Sequence, residues 1–271
     1  IDFEPFWEKP PLFFQLQALS KNVFGINEFA ARFVNVICGA VTLVVVYLIG
    51  SRVYDVLLGR LWALAFVGSF LPHVFFKSGI IDPVFNLFIF LGIFMLSRVT
   101  ANGDPQRRTR PVILAGGAIG LAVLTKGPVA FLIAALCIGV YGITRRRVRV
   151  FSFKQLALFC AGVAGVSLVF YGVETLLHGP WFLREFIKYH IRLLTTSDAG
   201  HGQPFYYHFV VIFFGCFPVS ILALRAFARA APPTLPQADF RKWMLILFWV
   251  VLIVFSRSEE HTSELQSLLI I

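Results

Sequence analysis

Charge is scarce in this chain: 14% of its 271 residues are Asp, Glu, Lys or Arg, against about 25% in soluble domains. That shortage excludes an ordinary globule with a solvated surface. Cysteine offers no scaffold either. Cys38, Cys137, Cys160 and Cys216 sit singly inside apolar runs, with neither metal-ligand spacing nor the density of a disulfide framework, so they read as small packing residues. There is no internal repeat, and no leader of the charged-then-apolar kind. Acids are outnumbered by bases, 14 to 24, for a net charge of +10. This excess does not point to nucleic acid, because the basic residues build no single face. They fall in short runs between apolar stretches, as membrane topology places them.

What the chain has in quantity is hydrocarbon: 58% of residues are hydrophobic and 31 are Phe. The composition is that of an all-α, polytopic membrane helix bundle. A span needs about 20 apolar residues, and eight are expected: 29–50, 57–76, 82–98, 111–126, 128–144, 155–177, 206–228 and 243–256. The pair 111–126 and 128–144 is separated only by "KGP", and the proline-rich "APPTLP" at 231–236 reads as a linker. Ile1 opens the chain inside a polar segment, so the natural protein is expected to begin upstream. At the other end, "RSEEHTSELQS" looks like a translated sequencing adapter. Residues 257–271 are therefore set apart from a partial membrane domain at 1–256.

The alternation of spans sorts the loops onto two sides. One side receives 15 of the 24 Lys and Arg, including Arg107, Arg108, Arg110 and the run Arg145–Arg147. Loops rich in Lys and Arg face the cytoplasm. The opposite, outer side carries mixed charge, histidine and aromatics. It holds Glu8 and Lys9 before the first span, Asp82 in "SGIIDP", Lys126 in "LTKGP", and the long loop 178–205 with His190, Arg192 and His201. Ionisable residues at membrane helix ends are functional hypotheses by default, and four such places share one face.

Each has a plainer alternative. Glu8 and Lys9 could be a solvated pair, although Pro10 and Pro11 fix the backbone behind them. Asp82 before Pro83 suits a helix cap, and Lys126 could snorkel to the headgroups. Tyr206 and Tyr207 could belong to an interfacial belt, and either histidine could be an ordinary loop residue. Taken together, the set has a chemistry. Lysine and arginine bind phosphate, and carboxylate with imidazole suits a divalent cation such as Zn or Mn. A cation beside a phosphate stabilises it as a leaving group. Aromatics stack on sugars or hold a lipid chain. Group transfer from a lipid-linked phosphate follows. The rivals are a transporter or flippase of lipid-linked sugars and a membrane subunit without chemistry. Transporters place charge near the midplane, whereas here it gathers at one face.

The segment "PFWEKPPLFFQLQALSKNVFGINEFAARFVNVICG", with "SGIIDP", "LTKGP" and "HGQPFYYH" in order, resembles the bacterial glycosyltransferases akin to aminoarabinose–lipid A transferase. These are grouped with dolichyl-phosphate-mannose protein mannosyltransferases in the GT-C superfamily. The resemblance covers about residues 3 to 256. It implies a polyprenyl-phosphate sugar donor and a lipid (lipid A-like) or protein acceptor. The site would face the periplasm from the inner membrane, and a divalent metal, Zn, Mn or Mg, is possible. Carried over, it implies Glu8 as a metal carboxylate with His201 or His190, and Lys9, Lys126 and Arg192 as donor-phosphate or sugar contacts. Trp7, Tyr206 and Tyr207 would line the donor pocket, and Asp82 would lie close to the reaction centre. The family's principal catalytic aspartate, in an Asp-Glu motif after its first membrane helix, is expected upstream of Ile1. The fragment by itself is therefore expected to be inactive. Residues 12–24 are expected to form an amphipathic surface helix.

Overall fold

A computed structural model describes residues 9–101, 108–145, 151–181, 184–185, 187–188, 206–228 and 234–256. Trp7, Glu8, His190, Arg192, His201 and the segment 257–271 lie outside them. The described residues are helical, in chain order α1 (Leu12–Phe24), α2 (Glu28–Val53), α3 (Val56–Gly68), α4 (Phe70–Lys77), α5 (Asp82–Thr100), α6 (Thr109–Lys126), α7 (Val129–Thr144), α8 (Phe153–His178), α9 (Tyr207–Gly215), α10 (Val219–Ala228) and α11 (Leu235–Ser256).

The expected surface helix is present as α1. Phe13 and Ser20 are buried on its inner side, while Phe14, Leu19, Val23 and Phe24 are exposed apolar residues spread around the rest of the helix. The motif "GINE" turns α1 into α2. Gly25 adopts φ +80°, which a side chain would strain. The Asn27 side chain then accepts from the Ala30 amide at 2.8 Å and caps α2. Buried Ser20 donates to the Ala30 carbonyl at 2.7 Å, and Gln17 donates to that of Ala31 at 2.9 Å. The surface helix is thus fastened to the first turn of the first span.

Among the described residues four helices, α2, α5, α6 and α8, are long and apolar enough to cross a membrane, and a fifth crossing results if α3 and α4 count as one span. Eight were expected, and the difference has local causes. The stretch 57–76 bends by 68° where Ser69 is extended, with ψ 136°, and Pro72 falls in the first turn of α4, where its missing N–H costs nothing. The stretch 206–228 breaks into α9 and α10 around Phe217-Pro218. α7 is apolar but only 16 residues long. α11 begins at Leu235, earlier than the expected 243, and takes Asp239, Arg241 and Lys242 into its first turns. The thin "KGP" boundary does separate two helices. Gly127 has φ +103°, and Pro128 starts α7.

The main core lies among α5, α6, α7 and α11, with Phe85, Ile89, Ile93, Ile119, Ile133, Tyr141 and Trp243 buried in it. α5 is its central strut: of its 18-residue apolar window, 72% is buried. α8 closes on α6 through small residues. A Cβ on Gly162 would lie 3.1 Å from the Gly116 Cα and from the Ile113 carbonyl oxygen, the close backbone approach that glycine permits between membrane helices. Gly116→Leu is expected to destabilise the fold by about 1–3 kcal/mol or more. Gly165→Leu, on the open side of α8 where a Cβ meets nothing within 4 Å, is expected to be neutral. Thermal melts of the two purified variants in detergent compare them.

A polar cluster closes the end of α5 opposite Asp82. Asp239 of α11, 2% exposed, accepts hydrogen bonds from Tyr141 and Thr100 and an ion-paired one from Arg145 at 3.0 Å. Trp243 stacks on Tyr141 with centroids 4.4 Å apart and donates to Thr100 Oγ1 at 2.9 Å. Three helices, α5, α7 and α11, are clamped on one carboxylate.

Candidate active site

Asp82 opens α5 and Lys126 closes α6, at 1% and 6% exposure. Their side chains meet across the two helices, Lys126 Nζ to Asp82 Oδ1 at 2.7 Å. The residues are 44 positions apart in sequence. Both plainer alternatives fail on this geometry. Ile81, not Asp82, holds the N-cap position of α5, and the Asp82 carboxylate is turned to Lys126. Lys126 does not reach outward; it lies over the Phe85 ring, 5.6 Å from its centroid. A lone charge at such depth costs several kcal/mol, and the pair offsets that cost only because its geometry is good.

The first outer segment converges on the same place. Phe13 packs in a cluster with Ile81 and Val84, which flank Asp82. Leu12 packs against the main core, which contains Phe85 and Leu124. The start of α1 therefore packs beside the turn that carries Asp82, and half-buried Lys9 precedes it by three residues. Asp82 and Lys126, expected at one face, do meet at one end of the bundle. Tyr206 and Tyr207 do not join them. Tyr206 is 65% exposed, Tyr207 makes an edge contact with His208 at 5.7 Å, and among the described residues no hydrogen bond links either to the pair.

Asn35 was missed in the sequence. Fully buried in α2, it donates from Nδ2 to the carbonyls of Ser78 at 2.6 Å and Ile80 at 2.8 Å, so it fixes the turn that delivers Asp82. An amide in an otherwise apolar span was the available signal. Asn35→Ala is expected to cost about 1–3 kcal/mol and to speed amide exchange at residues 78–82 ahead of the rest of the chain, as hydrogen-exchange mass spectrometry would register. Uniform exchange would assign Asn35 to packing alone.

No group of three or more His, Cys, Asp or Glu able to hold a metal occurs among the described residues. A cavity of about 490 Å³ opens between α3, α9, α10 and α11, walled by Trp62, Phe66, Phe209, Phe213 and Phe248. Neither Asp82 nor Lys126 lines it, so its chemistry is that of a hydrocarbon holder and not of a reaction centre.

The model of the family "Dolichyl-phosphate-mannose-protein mannosyltransferase" matches residues 8–172, which contain Lys9, Asp82 and Lys126. The chain belongs to this family. An uncharacterised protein of Aquifex aeolicus is 30% identical over 93% of this chain and 55% of its own length. The undecaprenyl phosphate-alpha-4-amino-4-deoxy-L-arabinose arabinosyl transferase of Pseudomonas aeruginosa is 28% identical over 83% of this chain and 41% of its own. In fold, the crystal structure of ArnT from Cupriavidus metallidurans bound to undecaprenyl phosphate superposes with a TM-score of 0.83 and 19% identity. That superposition covers 98% of this chain and 48% of the other. The chain thus spans about half the length of the relatives it matches, and its fold is the multi-pass membrane bundle of this family.

Proposed function

We propose that the protein transfers a sugar from a polyprenyl-phosphate donor to a lipid A-like lipid or a protein acceptor, at the outer face of a bacterial inner membrane. The observation that carries this is the buried Asp82–Lys126 pair beside the first outer segment. It is supported by relatives named as undecaprenyl-phosphate arabinosyl transferases and by a neighbour whose crystal structure is bound to undecaprenyl phosphate. In the reaction, an acceptor oxygen forms a bond to the anomeric carbon and the bond from that carbon to the phosphate oxygen breaks. The polyprenyl phosphate leaves with the electron pair. Lys126 neutralises the charge growing on that phosphate, and an ammonium can donate to Asp82 and to phosphate at once. Such preorganised donors act most strongly where water is excluded.

Asp82 holds Lys126 in place inside an apolar setting. Lys9, Arg192, Trp7, Tyr206 and Tyr207 remain candidates for the rest of the donor. The aromatic cavity suits the hydrocarbon chain of donor or acceptor. The Lys- and Arg-rich ends of the helices face the cytoplasm, so the pair faces the periplasm. A divalent cation is proposed on Glu8 with His201 or His190. The described residues offer it no ligand set, and the contact to phosphate stands on the two lysines alone.

The transporter reading draws no support from the relatives. A transfer assay with the intact protein in lipid vesicles tests the proposal. A labelled polyprenyl-phosphate sugar should pass its label to acceptor and leave polyprenyl monophosphate behind. Movement of the intact donor between leaflets with no bond broken would establish a flippase instead.

A further inference from the structure

The cluster at the far end of α5 holds an imbalance of charge. Among the described residues its one carboxylate, Asp239, is already engaged by Tyr141, Thr100 and Arg145. Two cations lie over the Tyr141 ring, Arg145 with Cζ 5.9 Å from the centroid and Lys242 with Nζ at 5.2 Å. Trp243 lies flat on the same ring, at an interplanar angle of 12°. Arg145 is ion-paired yet its side chain is 45% exposed, and Lys242 makes no ion pair among the described residues. Burial, and after it repulsion from Arg145, push the Lys242 ammonium below its ordinary value; the pull of Asp239 opposes them but is weaker. An anion seated between the two cations would relieve that repulsion.

The surroundings indicate which anion. The outward residues of α7, Leu132, Leu136, Val140 and Ile143, are all exposed and recur at helical spacing, so an apolar strip runs along the bundle up to this cluster. Basic pockets between membrane helices are where acidic lipid headgroups bind.

We propose that Arg145 and Lys242, over the Tyr141 ring, bind the phosphate of an anionic phospholipid whose acyl chains lie along α7, at the end of the bundle opposite the Asp82–Lys126 pair. The site is separate from the proposed transfer reaction and would serve as an anchor for the α5–α7–α11 clamp.

Native mass spectrometry of the detergent-purified protein tests this with phosphatidylglycerol, phosphatidylcholine and inorganic phosphate in parallel. Phosphatidylglycerol should bind with one tightest site, at least tenfold tighter than phosphatidylcholine, and inorganic phosphate should not compete at equal concentration. Lys242→Gln, which leaves the Asp239–Arg145 bond in place, should weaken that site at least fivefold. Lys154→Gln, which removes the same charge from an exposed position on the same end, should not. Equal weakening by the two variants would reduce the effect to general electrostatics and overturn the site. Tight binding of inorganic phosphate would overturn the lipid assignment.

Discussion

Replacing Lys126 by Met in the intact protein is expected to lower the proposed sugar transfer by about a hundredfold or more, the size of effect seen when one preorganised donor to a developing anion is lost. The same change removes the lysine partner of the Asp82 carboxylate at 1% exposure, so it should also destabilise the protein by about 3–5 kcal/mol. The two effects need separating, because an unfolded enzyme is also inactive. Asp82→Leu combined with Lys126→Met removes both charges and places hydrocarbon in an apolar setting beside Phe85. A buried pair replaced in this way often leaves stability unchanged or improved. The double variant is therefore expected to melt near the wild-type temperature and to remain inactive. Recovery of transfer along with stability would show that the pair is a structural tie only.

Asp239→Ala is expected to do the reverse. The variant deprives Arg145, Tyr141 and Thr100 of a shared acceptor, and hydrogen bonds to a charged group contribute about 1.5–3 kcal/mol each. A loss of about 3 kcal/mol or more is expected, readable as a lower melting temperature in detergent. The surviving folded fraction should transfer sugar at close to the wild-type rate per molecule, because Asp239 sits at the far end of α5. That helix rises about 1.5 Å per residue from Asp82 to Thr100 and so holds the two clusters about 27 Å apart. A selective fall in turnover without loss of folded protein would mean that the clamp acts on the reaction itself.

The contrast between these two ends shows how far the sequence could be read. The long apolar runs of α2, α5, α6 and α8 were legible because length and hydropathy alone define a span. A helix over residues 12–24 was expected and is present as α1. The sorting of loops also brought Asp82 and Lys126 to one side before any contact was known. Direct pairing was not legible: a cap and a snorkelling lysine are satisfied by the same residues, and only the packing of α5 on α6 decides between them. The bend at Ser69 and the break near Pro218 were hidden inside continuous hydrophobic stretches, so each was expected as one straight helix. Asp239 escaped notice because it follows a proline-rich stretch and its partners Thr100, Tyr141 and Arg145 come from two distant helices. Asn35 was in view throughout as a lone amide in an apolar run. The expected metal ligands Glu8, His190 and His201 fall outside the described residues, so their part stays with the proposal.

The most direct measurement is the affinity of the purified intact protein for undecaprenyl phosphate, compared between wild type and the Asp82→Leu/Lys126→Met variant with matched stability. If the buried pair holds the donor phosphate, binding is saturable in the wild type, at least tenfold weaker in the variant, and not displaced by undecaprenol, which lacks the phosphate. Equal affinity in the two proteins, or displacement by undecaprenol as strong as by the phosphate, would place phosphate recognition elsewhere in the molecule.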